Sequence, residues 1–174
     1  MARNVEIKAR VADRDAIVRR AAALATEGPV EIDQDDTFFR CENGRLKLRT
    51  FAQDRGELIF YRRADARGPK ESFYVRSPTV SPGTLRESLA LAYGVTGRVK
   101  KARTLYLAGR TRIHVDRVEG LGDFVELEVV LEDGEDVEAG MREARDLMAK
   151  LGIDAADLEQ SAYVDLPASR ESPC

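Results

Sequence analysis

At 174 residues, with 34% charged and 43% hydrophobic side chains interleaved along most of its length, the chain is globular in composition and long enough for one domain with a real core. Its formal net charge of −3 argues against a general nucleic-acid binder, which carries a net basic surface. Its two cysteines, Cys41 and Cys174, lie far apart with no CxxC or Cys/His cluster, so neither a disulfide framework nor structural zinc is expected.

Residues 3–11 alternate, with Val5, Ile7, Ala9 and Val11 on one face and Asn4, Glu6, Lys8 and Arg10 on the other, the period-two signature of a strand. Asp13 can cap a helix through Ala25, whose Ile17, Val18, Ala21 and Leu24 form an apolar stripe. Residues 36–41 read as extended. Residues 45–51 oppose Leu46 and Leu48 to Arg45, Lys47 and Arg49, and residues 57–63 and 71–76 intersperse Phe, Tyr, Val and Leu with charges. Ser81-Pro82 opens a short helix to about Tyr93, with proline at the first helical position. Extended residues 98–107 follow. Residues 111–118 then oppose Thr111, Ile113 and Val115 to Arg112, His114 and Asp116, and 124–131 oppose Val125, Leu127, Val129 and Leu131 to Glu126 and Glu128. A last helix over about Val137 to Leu151 carries Met141, Ala144, Leu147, Met148 and Leu151 at helical spacing, with Gly152 as terminator. A short turn follows Asp154, and residues 167–174 read as a frayed tail.

Turns such as Glu42-Asn43-Gly44, Asp54-Arg55-Gly56 and Ala108-Gly109 suit hairpins. About eight strands against three helices predict an α+β fold: one closed antiparallel β-barrel over residues 1–166, with the helices packed outside.

The polar faces of these strands decide what the barrel holds. They carry almost no Ser, Thr, Asn or Gln, but Lys8, Arg10, Lys47, Arg49, Arg63, Lys101, Arg103 and Arg112 as cations and Glu6, Asp116, Glu126 and Glu128 as carboxylates. With the apolar faces turned outward under the helices, the charges would line a lumen wide enough for one small ligand. Unpaired charges there would be too costly for a dry core, so the lumen must be wet and occupied. Excess cations suit a polyanion, and carboxylates in the same tunnel suit a divalent ion, Mg²⁺ or Mn²⁺, held between them and the polyanion. Cations, acid pairs and metal together are what chemistry on a triphosphate requires.

The motifs Asn4-Val5-Glu6-Ile7-Lys8, Asp36-Thr37-Phe38-Phe39, Gly44-Arg45-Leu46-Lys47-Leu48-Arg49, Val99-Lys100-Lys101-Ala102-Arg103, His114-Val115-Asp116, the run from Gly120 to Glu128 and the closing Ser161-Ala162-Tyr163-Val164-Asp165-Leu166 resemble the CYTH family, especially its class IV adenylyl cyclase-like branch. That family shares a triphosphate tunnel fold and opens with Glu-x-Glu-x-Lys, so Asn4 stands here where the family has glutamate. The resemblance implies that Glu6, Asp116, Glu126 and Glu128 hold divalent ions and that Lys8, Lys47, Arg49, Arg63, Lys101 and Arg103 grip phosphates. It also implies catalytic roles for Glu6, Lys8, Arg103 and Asp116, and leaves room for a homodimer.

Around this frame several residues carry two readings. Arg63 either enters the tunnel or yields that face to Arg62, and Lys70, after Gly68-Pro69, sits on a loop as a lid contact or in solvent. His114, the only histidine, invites a general-base role, but between Arg112 and Asp116 the simpler role is a hydrogen bond to a carboxylate or to the substrate's base. Tyr61, Tyr74 and Phe73 are either stacking partners for a nucleobase or packing residues.

The expected reaction is adenylyl cyclase-like, ATP to cyclic AMP and pyrophosphate. The alternatives are a triphosphatase acting on inorganic, thiamine or nucleoside triphosphate, and a noncatalytic polyphosphate or nucleotide sensor. The N-terminal residues carry no apolar signal region and no eighteen apolar residues run together, so a cytoplasmic protein with neither membrane nor nucleic-acid partner is expected.

Overall fold

The eight strands are β1 (Ala2–Arg10), β2 (Glu27–Phe39), β3 (Arg45–Ala52), β4 (Arg55–Arg63), β5 (Lys70–Thr79), β6 (Val95–Ala108), β7 (Thr111–Val118) and β8 (Gly122–Val130). Three helices interrupt them: α1 (Arg14–Leu24), α2 (Pro82–Tyr93) and α3 (Val137–Leu151). The structure, a computed structural model, describes residues 2–64 and 67–167, and the expected tail from 168 onward lies outside them. The strands close into an antiparallel barrel in the order β1-β5-β4-β3-β2-β6-β7-β8. β1 is the seam, with Glu6 facing Lys70 on β5 and Glu128 on β8.

Because side chains alternate along a strand, the apolar positions of β1, β7 and β8 all turn outward. Val5, Ile7, Ile113, Val115, Val125 and Leu127 form one cluster with Ala144, Leu147 and Leu151 of α3 and Ile17 and Ala21 of α1. The hydrophobic core therefore lies between barrel wall and helices, and each such side chain contributes about 1.5–3 kcal/mol by leaving water. Gly140 sets how closely α3 approaches the wall: a Cβ there would stand 2.6 Å from Leu131 Cδ2 and 2.9 Å from Val5 Cγ2. Asp13 Oδ1 accepts from Ala16 N at 3.0 Å and Asp136 Oδ1 accepts from Glu138 N at 3.1 Å, capping α1 and α3. Gly152 ends α3 in the left-handed region at φ 70°.

The largest departure from the sequence expectation is β2, which begins at Glu27 rather than near residue 36. Its early half reads as a loop because Glu27, Glu31, Asp33 and Asp35 are acidic and Gly28-Pro29 looks like a breaker. In the fold those residues pair with β6, and Gly28-Pro29 falls in a register shift between Glu27 and Val30.

After α3 the chain returns to the barrel. Leu158 bridges to Ala9, and Glu159 N donates to Lys8 O at 2.8 Å. The segment then reaches Gly97 on β6, where any Cβ would collide with Val164, and Asp165 pairs with Arg45 of β3 at 2.6 Å. β1 stands across the ring from β2, β3 and β6, so the segment crosses the end of the barrel and forms its floor.

Candidate functional site

The inward faces of the strands line a cavity of about 270 Å³. Lys8, Lys47, Arg49, Arg63, Lys101 and Arg103 all line it, and Arg76 and Arg112 join them. Its carboxylates are Glu6, Asp36, Glu57, Glu126 and Glu128. Eight cations against five anions leave an excess of three positive charges in a chain whose total is −3. Arg63 takes the inner face, and Arg62 turns outward to donate to Asn43 O at 2.6 Å.

Each carboxylate is already engaged. Asp36 accepts from Lys47 Nζ and from Arg49 Nε and Nη2, all at 2.8 Å. Arg63 Nη1 donates to Glu6 Oε1. Arg103 Nη2 donates to Glu126 Oε2 at 2.6 Å, Lys8 Nζ lies 3.4 Å from Glu126 Oε1, and Arg112 Nε donates to Glu128 Oε2 at 2.8 Å. Such charge-assisted pairs fix side-chain directions inside the lumen.

Asp116, expected as a metal ligand, has a different setting. It is 0% exposed and is not among the residues lining the cavity. Arg103 Nε and Nη2 donate to its two oxygens at 2.7 and 2.6 Å, Tyr163 Oη donates to Oδ2 at 3.0 Å, and Lys101 Nζ lies 3.4 Å away. Both oxygens are taken by groups that hold Arg103 in place.

Burial sets the ionisation of the lumen. It lowers Lys8 to about 8 and Lys47 to about 7, against the pull of Glu126 and Asp36. For Asp36 burial pushes the carboxyl up, but Arg49 and Lys47 outweigh it and hold it well below the usual range. Glu128 is brought down to about 2 against burial, by His114 in its charged form and by Arg112. Burial also lowers His114 from its ordinary value.

The floor supplies part of the site. Tyr163 and Ala162 line the cavity, with Lys8 Nζ 4.0 Å and Lys101 Nζ 4.8 Å from the centre of the Tyr163 ring. Lys8 Nζ donates to Ser161 O at 3.1 Å. Lys70, expected on a loop, opens β5 instead; it is 3% exposed and its Nζ donates to Gln160 O at 3.3 Å. Phe73 points outside, edge-on to Phe60 at 6.5 Å, so the stacking reading fails for it, whereas Tyr61 and Tyr74 line the cavity.

Strand direction orders the lining along each strand, from the floor outward: Lys8 before Asn4 on β1, Asp36 before Ile32 on β2, Lys47 before Phe51 on β3, Ser72 before Tyr74 and then Arg76 on β5, and Lys101 before Leu105 on β6. Tyr61 packs with Tyr163 of the floor. Lysines thus concentrate toward the floor, while Ile32, Phe51, Tyr74 and Leu105 stand further out beside the Arg76–Glu57 pair. Asn4 lines the tunnel 3% exposed, and its Oδ1 has no hydrogen-bond partner among the described residues. Glu126, Glu128 and His114 bring three donor atoms within 4.8 Å of one another, a set that fits a divalent ion.

The CYTH domain family model matches residues 2–163, every strand of the barrel and its floor to Tyr163. The chain belongs to the CYTH domain family. An adenylate cyclase, CyaB, of Aeromonas hydrophila is 28% identical to this CYTH chain over 167 residues, covering 91% of this chain and 85% of that one. The PH1012 protein of Pyrococcus horikoshii superposes with a TM-score of 0.83 at 25% identity, covering 94% of this chain and 98% of that one. The Pct1 RNA triphosphatase of S. pombe shares the fold more distantly, with a TM-score of 0.55 at 11% identity over 92% of this chain and 86% of that one. No helix among the described residues is long and apolar enough to cross a membrane.

Within this CYTH site, sequence reasoning missed Asp36 as a lumen carboxylate, Ile32 and Gln34 on the unforeseen half of β2, and Tyr163 as lining. Asp36 and Tyr163 stood inside motifs already noted, so a signal existed for both. For Ile32 and Gln34 there was none, because the strand itself was not legible.

Proposed function

We propose that this chain is a metal-dependent, adenylyl cyclase-like enzyme that binds ATP in the tunnel with its phosphates toward the floor and its nucleoside further out. The observation that carries the reading is the lining itself: an excess of three positive charges overall, with Lys8, Lys47 and Lys101 toward the floor and Ile32, Phe51, Tyr74 and Leu105 further out along their strands. A triphosphate carrying one divalent ion bears about −2 to −3, which that excess balances. An inorganic triphosphate would leave those outer apolar and aromatic side chains without a partner. The relative named adenylate cyclase points the same way.

Glu126 and Glu128 would hold the ion, with Glu6 joining them once a phosphate draws Arg63 away from it. A bound Mg²⁺ or Mn²⁺ would neutralise phosphate charge and polarise the phosphorus under attack. Lys8, Lys47, Arg49, Lys101 and Arg103 grip the phosphate oxygens, and Asp116 acts through Arg103 as a positioning residue. In cyclisation the ribose 3′ oxygen attacks the α-phosphorus, its proton is released, and the bond to the bridging oxygen breaks so that pyrophosphate leaves. The tunnel's task is to hold the 3′ oxygen in line with that bond.

The test is to incubate purified protein with ATP, thiamine triphosphate or inorganic triphosphate, each with Mg²⁺ or Mn²⁺, and to identify the products. Cyclic AMP with pyrophosphate is expected from ATP. Orthophosphate as the main product would make the chain a triphosphatase, and tight binding without turnover would make it a sensor.

A further inference from the structure

A third donor faces the two glutamates. His114 lies directly across from Glu126 in the pairing of β7 with β8. Its side chain is 5% exposed, and its Nδ1 is buried with no hydrogen-bond partner among the described residues. That nitrogen stands 3.8 Å from Glu126 Oε2 and 3.9 Å from Glu128 Oε1, too far for a hydrogen bond. A buried polar atom aimed at two carboxylates without bonding either is poorly explained as packing, because an unpaired buried nitrogen costs free energy.

Metal coordination explains the spacing. Donors about 2.1 Å from an octahedral ion are about 3 Å apart when adjacent and about 4.2 Å apart when opposite. The three donor atoms, all within 4.8 Å of one another, need only small side-chain rotations to meet that geometry. Glu128 Oε1 is the oxygen turned toward His114, since Oε2 accepts from Arg112. We propose that His114 Nδ1 is a third ligand of the divalent ion and makes this site favour Mn²⁺ over Mg²⁺; this rests on the proposed roles of Glu126 and Glu128.

The selectivity follows from donor chemistry. Mg²⁺ strongly prefers oxygen, whereas Mn²⁺ accepts an imidazole nitrogen more readily. Asn4 supplies no carboxylate and Glu6 is paired with Arg63, so the acids of β1 are depleted just where the histidine is available. Arg103, Arg112 and Lys8 also crowd the cluster, so the ion binds together with phosphate oxygens that offset those charges.

The experiment uses the untagged full chain mixed with Mn²⁺ and inorganic triphosphate, frozen immediately and examined by pulsed electron paramagnetic resonance. A coordinated imidazole gives nitrogen modulation of the Mn²⁺ signal, assignable because the chain holds one histidine. The expected result is that modulation in the natural protein and its loss in His114→Gln. Mn²⁺ affinity in that variant should fall at least roughly tenfold, while Mg²⁺ affinity changes less than about threefold. Mn²⁺ binding that is lost in Glu128→Gln but shows no nitrogen modulation would overturn the histidine ligand and leave the two-glutamate reading standing. Binding without nitrogen modulation that also survives Glu128→Gln unchanged, or no binding at all, would overturn both. The spectrum of the natural protein decides the histidine question even if His114→Gln fails to fold.

Discussion

Tyr163 on the floor donates its hydroxyl to Asp116 Oδ2 at 3.0 Å and lies with its ring face 4.0 Å from Lys8 Nζ. One side chain therefore props the anchor of Arg103 and cushions two of the ammonium groups proposed to grip phosphate, since Lys101 shares the ring. Replacing Tyr163 with Phe removes only the hydrogen bond to the buried carboxylate and should cost about 1.5–3 kcal/mol of stability with KM nearly unchanged. Replacing it with Leu removes the cation–π contacts, each about 1–2 kcal/mol when desolvated, and should raise KM for the triphosphate about tenfold. Steady-state kinetics beside denaturant titrations distinguish the two effects.

Asp36 is the shared counter-ion of Lys47 and Arg49. Asp36→Asn would leave two buried cations without their anion, and breaking such a pair costs about 3–5 kcal/mol. A triphosphate supplies the missing negative charge, so the melting temperature of the variant should recover with added inorganic triphosphate more than that of the natural protein. Equal shifts in the two proteins would show that Lys47 and Arg49 do not meet phosphate.

Lys47 at about 7 and Lys8 at about 8 lie below the ordinary lysine value of 10.5 because burial disfavours their charge. The unfolded chain therefore binds more protons than the folded one between about pH 7 and 10, and stability of the empty protein should rise with pH across that window. Phosphate binding needs the charged lysines, so triphosphate affinity should fall over the same window. Binding near pH 8 should take up protons, which calorimetry in buffers of different ionisation enthalpy would detect; release of protons would contradict the assignment.

Asn4 lines the tunnel with its oxygen unpartnered. Asn4→Glu adds the charged ligand that the family carries there and should lower the metal concentration for half-maximal activity, with Mg²⁺ gaining more than Mn²⁺. A raised substrate KM with unchanged metal dependence would mean that the new charge meets phosphate rather than metal. Metal titrations at saturating substrate separate these outcomes.

The period-two pattern made much of this lumen legible. On β1, β3 and β8 it sorts Lys8, Lys47, Arg49, Glu126 and Glu128 onto the inner face because a strand can turn them nowhere else. Pairing was not legible: nothing in the spacing says that Asp36 meets Lys47 and Arg49 or that Asp116 is covered by Arg103 and Tyr163, since these follow from the closed ring and its floor. Pro69 disguised Lys70 as a loop residue, and the acids of Glu27 to Asp35 disguised half a strand. Tyr163 reaches the site from an irregular segment that carries no period at all.

The floor covers one end of the barrel, and a covered end favours a queue at the other. Whatever settles first against Lys8, Lys101 and Tyr163 is the last to depart while the segment from Leu158 to Asp165 stays in place. On the proposed cyclase reading, with a nucleotide seated phosphate-first, the cyclic product would leave ahead of pyrophosphate, which would then compete directly with the next incoming triphosphate. The deeper product would thereby become a brake on turnover, its strength set by the same lysines that draw the substrate in.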